Sequence, residues 1–89
     1  MVELKESHPL LKAWNESNAF HLDVRELLEN GGEPYPYIMD CLHQLVDGQE
    51  LVVHALFEPK PLILQVQRLG YQVVCRRESE EHWITEINK

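Results

Sequence analysis

The hexapeptide Glu33-Pro34-Tyr35-Pro36-Tyr37-Ile38 returns further along as Glu58-Pro59-Lys60-Pro61-Leu62-Ile63, so one E-P-x-P-x-I junction is used twice. Proline is tolerated in the first turn of a helix, where N–H groups have no intrahelical acceptor, and it is excluded from helix interiors. Both hexapeptides therefore read as helix starts. Behind the first, Ile38, Cys41, Leu42 and Leu45 recur at helical spacing; behind the second, Leu62, Val66 and Leu69 do the same until Gly70 supplies a left-handed stop. Asp47-Gly48 marks the end of the first helix. Ahead of each junction lies a strand. Phe20, Leu22 and Val24 alternate with His21 and Asp23, and Glu50 to Phe57 is nearly continuous apolar sequence, as in a strand packed on both faces.

Two strand-then-helix units in tandem imply parallel strands joined by right-handed crossovers, which put both helices on one face and aim both helix starts at the same sheet rim. Tyr71 to Arg77 and His82 to Asn88 alternate as two further strands, with Glu78 to Glu81 as the turn between them. The expected fold class is α/β: a two-layer sandwich in the order β-α-β-α-β-β, with a four-stranded mixed sheet, an antiparallel last strand and two helices on one face. Residues 20–89 form this domain. Residues 1–19 read as an N-terminal extension with a short helix, capped by Ser7 and started by Pro9, with Leu10, Leu11 and Trp14 on one side. Because the second strand is apolar on both sides, the helix-free face needs a cover. Either that N-terminal segment or a second copy of the chain, as a homodimer, would supply it.

Charge narrows the function classes. Eight Lys+Arg against fifteen Asp+Glu give a formal charge of −7, which disfavours nucleic acid and anionic lipid as partners. No apolar run is long enough to span a bilayer and the N-terminus lacks a signal-peptide pattern, so the expectation is a cytoplasmic protein away from membranes. The two cysteines are far apart, with no C-x-x-C pair and no disulfide framework. Cys41 lies on an apolar helical face and Cys75 alternates with Val73 on a strand, which reads as packing rather than reactivity.

Leu22-Asp23-Val24-Arg25, the Pro34-x-Pro36 helix start, Gly48-x-Glu50 and the C-terminal hairpin resemble the small TusA/SirA-like domains. Pro59-x-Pro61-Leu62, Gly70 and Trp83 look closer still to a bacterial branch of that superfamily known only as a domain of unknown function. The resemblance covers Phe20 to Asn88 and implies the strand order 1-2-4-3. TusA-like carriers hold a persulfide on the cysteine of C-P-x-P, where the helix dipole stabilises a thiolate. Glu33 stands at that position, and a carboxylate cannot carry sulfane sulfur.

The expected function is thus a non-enzymatic accessory module without a cofactor, binding a small ligand or protein partner at the rim where the helix starts meet. The candidate site residues are Asp23, Arg25, Glu33, His54 and Glu58. Asp23 and Arg25 point the same way on an extended segment, and the two glutamates sit where helix dipoles favour negative charge. His54 lies on the central strand, while His8, His21, His43 and His82 look scattered. Two alternatives stay open: sulfur or redox relay through Cys41 or Cys75, and metal binding by His54 with carboxylates. The prolines remove N–H donors from both helix starts, which disfavours phosphate and nucleotide ligands.

Overall fold

Alternation and the two proline junctions translate directly into the sheet and its helices. The computed structural model describes residues 8–88. Five strands run in the order β1-β2-β3-β5-β4: β1 Lys12–Glu16, β2 Ala19–Asp23, β3 Glu50–Ala55, β4 Gln72–Ser79 and β5 His82–Asn88. The helices are α1 Arg25–Glu29, α2 Tyr35–Gln44 and α3 Lys60–Arg68. β2 pairs parallel with β3, and β5 lies antiparallel between β3 and β4.

The architecture is α/β, with three differences from the expected four strands and two helices. The four expected strands appear as β2-β3-β5-β4, and a fifth, β1, is added at the edge. The N-terminal helix expected within residues 1–19 is replaced over Lys12–Glu16 by this strand, and Ser7, its expected cap, lies outside the described residues. The reason is local: Ser17 adopts φ 55°, and the two-residue loop it opens folds β1 back on β2 with Trp14 opposite His21. The third difference is α1, a short helix between β2 and the first proline junction that the expected order β-α-β-α-β-β does not contain. Its start is tied by the Asp23 carboxylate, whose Oδ1 accepts the Arg25 N–H at 3.0 Å, and its Leu27 is buried.

One face of the sheet carries the core. Phe20, Leu22, Leu51, Val53, Ala55 and Ile87 pack against Ile38, Cys41 and Leu42 of α2 and Leu62 and Val66 of α3. Burying each large aliphatic side chain there contributes about 1.5–3 kcal/mol. α3 ends where Gly70 takes φ 95° and Tyr71 N–H reaches back to the Val66 carbonyl at 3.1 Å. No helix among the described residues is long and apolar enough to cross a membrane.

Among the described residues no second layer covers the opposite face, and β1 extends the sheet rather than lying across it. Leu11, expected to help cover that face, packs against the helix-side core instead. Val52 and Ile84 are nevertheless buried. Trp14 contributes a ring, stacked on His21 and His54.

The α1–α2 connection depends on a close approach. A Cβ on Gly32 would lie 2.3 Å from Leu27 Cδ1 and 3.1 Å from the Leu27 carbonyl oxygen, in a place already filled by a buried side chain. Gly32→Ala is expected to destabilise the chain by about 1–3 kcal/mol through overpacking, read as a lower urea midpoint. An unchanged midpoint would show that Leu27 repacks freely.

Candidate functional site

The parallel β2-β3 pair delivers the chain to one rim twice, and at that rim the two proline-opened helix starts face each other across a cleft of about 320 Å³. Pro34 is the N-cap of α2 and Pro59 that of α3, with Pro36 and Pro61 in the respective first turns. The sheet contributes Val53 and Ala55, the helices Ile38 and Leu62, and the segment after β2 Val24 and Leu28. Tyr35 and Phe57 add two rings that are 37% and 53% exposed, while Val53, Ala55 and Ile38 are buried. Glu33 is the one charged side chain of the lining. Its Oε1 accepts the Tyr35 N–H at 3.1 Å, which caps the start of α2.

The chain's match to a family model covers residues 21–89. It belongs to the DUF2249 family. That family is described as an uncharacterized conserved protein, and the match spans both proline junctions and everything that lines the cleft. No curated protein and no solved structure matches the chain.

Within this DUF2249 chain the five sequence-predicted site residues fall into separate places. Asp23 and Arg25 form a closed pair: Oδ1 accepts the Arg25 Nε–H at 3.0 Å and Oδ2 the Nη2–H at 2.8 Å. Burial pushes the Asp23 carboxyl up, but the Arg25 hydrogen bonds and charge outweigh it and hold the group below its ordinary value. The pair lines a separate groove of about 330 Å³ with Lys12, Glu26 and Glu29, which shares no lining residue with the cleft. Glu33 is in the cleft. Glu58 is outside the lining, 3.8 Å from Lys60 Nζ, where its carbonyl also accepts the Lys60 N–H. His54 points to the other side of the sheet from Val53 and Ala55, since successive side chains of a strand alternate. The structure thus joins Asp23 to Arg25 and sets both beside His54, but it separates them from Glu33.

His54 is only 8% exposed despite lying on the helix-free face. Its Nε2 is 3.0 Å from His21 Nδ1 and its Nδ1 is 2.8 Å from His82 Nε2. His21 and His82, which look scattered in the sequence, are therefore its partners. The legible signal was parity: each occupies the position next to a core-facing residue, Phe20 or Trp83, on a strand adjacent to β3. Among the described residues, no group of three or more His, Cys, Asp or Glu side chains is placed to hold a metal ion. The geometry says why: His54 turns a different nitrogen to each neighbouring ring, and the Asp23 carboxylate is engaged by Arg25.

The two thiols sit in different settings. Cys41 is buried, and desolvation, followed by the charge of Asp40, pushes its thiol up to about 12, so it stays protonated at neutral pH. Cys75 Sγ accepts a hydrogen bond from Thr85 Oγ1 at 3.4 Å on the sheet.

Burial pushes His54 down to about 4; Asp23 opposes this, while His21, His82 and Arg25 add to it. A histidine depressed below its unfolded value near 6.5 contributes stability above that value and loses it as the pH falls towards 4. Asp23, also depressed, loses its contribution only below its ordinary value of 3.8. The urea midpoint is expected to fall from pH 7 to pH 4, with about 2–3 kcal/mol lost in the His54 window. His54→Gln should flatten that window; a pH-independent midpoint above pH 4 would contradict the assignment.

Proposed function

We propose that this DUF2249 chain is a non-enzymatic binding module whose rim cleft takes a small molecule with an apolar, uncharged body. The observation that supports this reading is the cleft itself: concave, about 320 Å³, and walled almost wholly by apolar side chains. Its electrostatics favour no ion. The positive ends of the α2 and α3 dipoles converge there, and Glu33 supplies a compensating negative charge. Pro36 and Pro61 withhold the N–H donors with which helix starts bind phosphate or carboxylate. A concave site of this size suits a small ligand better than a protein partner.

The TusA/SirA-like resemblance supports the same place on the fold. In that comparison the cleft stands where carriers present their cysteine, and Glu33 replaces the thiol, so the chain acts as an accessory module that holds a ligand without transferring sulfur. Buried Cys41 counts against relay, and the closed Asp23–Arg25 pair counts against a metal site built on His54 and carboxylates.

The probe for a test is N-phenyl-1-naphthylamine, which is uncharged and fluoresces in apolar surroundings. Saturable one-to-one binding is expected, weakened at least about tenfold by Phe57→Glu, a loss of about 1.4 kcal/mol. Because Phe57 is exposed, that variant should keep the wild-type unfolding midpoint. The anionic analogue 1-anilinonaphthalene-8-sulfonate is expected to bind no more tightly than the uncharged probe. Absence of saturable binding, or equal binding by Phe57→Glu, would overturn the reading.

A further inference from the structure

On the helix-free face, three imidazoles on the neighbouring strands β2, β3 and β5 make one continuous chain. His21 Nδ1 lies 3.0 Å from His54 Nε2, and His54 Nδ1 lies 2.8 Å from His82 Nε2, with ring centroids 5.2 and 5.1 Å apart. Trp14 stacks over the first two rings at 4.9 and 5.3 Å. The ligand reading of the cleft uses none of these groups.

Counting protons shows what the chain can hold. Each imidazole has two ring nitrogens, so four of the six nitrogens are spent on the two hydrogen bonds, and each bond needs one proton between its nitrogens. His21 Nε2 and His82 Nδ1 are the free ends. Three neutral rings carry three protons: one in each bond and one at an end. A fourth proton fills the other end and leaves both bonds intact, at a net charge of +1. A fifth must enter a bond, where two N–H groups would face each other across about 3 Å, and that bond breaks. Three separate histidines have no such ceiling.

We propose that His21, His54 and His82 form a single proton-binding unit that accepts one excess proton with its hydrogen bonds intact, and that a second excess proton opens the chain and releases Trp14 from its stack. The surroundings reinforce the ceiling. Burial opposes charge on His54; Asp23 on β2 favours a first proton there, but its carboxylate already holds Arg25, whose positive charge opposes further protonation. Lys12 on β1 lies opposite Asp23, with Glu16 on the same face of that strand. Glu86 on β5 is bound to Arg76 of β4, which also holds Glu78. Glu50 on β3 is pushed towards its neutral form by burial and by Glu86. Glu80 and Glu81 lie in the turn beside His82. Asp23 and Glu86 thus each have a guanidinium partner already, while two protonated rings about 5 Å apart would repel each other.

Trp14 reports the two stages differently. It is 40% exposed, so its indole senses both the stack and water. One imidazolium in the chain attracts the indole face and keeps the stack closed. Ring rotation after the second proton removes the surface on which it rests.

The test is a titration of the full chain from pH 8 to pH 4, following imidazole nitrogen shifts by NMR and Trp14 fluorescence in a Trp83→Phe background. The three rings are expected to share a first step of one proton in total. A second step should follow at least about one pH unit lower, with the change in Trp14 emission confined to it and the amide signals of Leu51 and Val53 retained. In His54→Gln the remaining two rings lose their connection, so they are expected to take up protons independently of each other, and Trp14 to follow His21 alone. Three protons taken up in a single step by the wild type would overturn the proposal. So would a Trp14 signal that tracks the first proton, or global loss of amide signals together with the second. The wild-type titration decides the matter even where the variant does not fold.

Discussion

β3 is the constraint on which the rest of the molecule hangs. Leu51 through Ala55 are all buried, and the strand receives β2 in parallel on one side and β5 antiparallel on the other. Leu51, Val53 and Ala55 face the helices, so their burial fixes which parity of the strand is the inside. Register in a sheet is enforced by this kind of asymmetry, because a slip of one residue would expose all three and bury His54 and Val52 under α2 and α3. His54 therefore stays where the apolar residues on either side of it put it. The Val24 N–H donates to the His54 carbonyl at 2.9 Å, so the exit of β2 is locked to the same strand.

The cleft follows from that lock without any further device. A parallel pair with helical crossovers brings both helix starts to the rim where β2 and β3 end. Proline at each start sets the entry angle and removes the donors that would otherwise make the rim an anion site. What remains is concave apolar surface with a capping glutamate, whose charge is partly spent on its own helix. The rim is thus concave and largely apolar, with Glu33 as its one charged lining residue, and the proposed uncharged ligand is read from that.

The parts of this arrangement that were legible in the sequence are those carried by short-range pattern. The alternation at Phe20, Leu22 and Val24 and the helical spacing behind each Pro-x-Pro are local signals, and the elements lie there. β1 was illegible for a physical reason. All five of its residues are exposed, so it has no buried face to impose a period of two, while Leu10, Leu11 and Trp14 mimic one side of a helix. Its position is set by pairing with β2 and by the rings under Trp14, both of which are tertiary. α1 was hidden by the glycines that follow it: Gly31 and Gly32 announce a loop, but Gly32 is there because Leu27 of α1 packs against it.

The histidines show a different limit. Parity alone puts His21, His54 and His82 on the face away from the core, and that much is local. Only the strand order makes them neighbours, since β5 inserts beside β3 although β4 precedes it in the chain. In a linear reading they are separate polar interruptions of apolar strands, each with an unmet hydrogen-bonding need. Folded, each meets the need of the next, and the desolvation that would penalise one buried imidazole is offset by two ring-to-ring hydrogen bonds. Val52, two residues from His54 on β3, and Ile84, opposite His54 on β5, are buried on that same face.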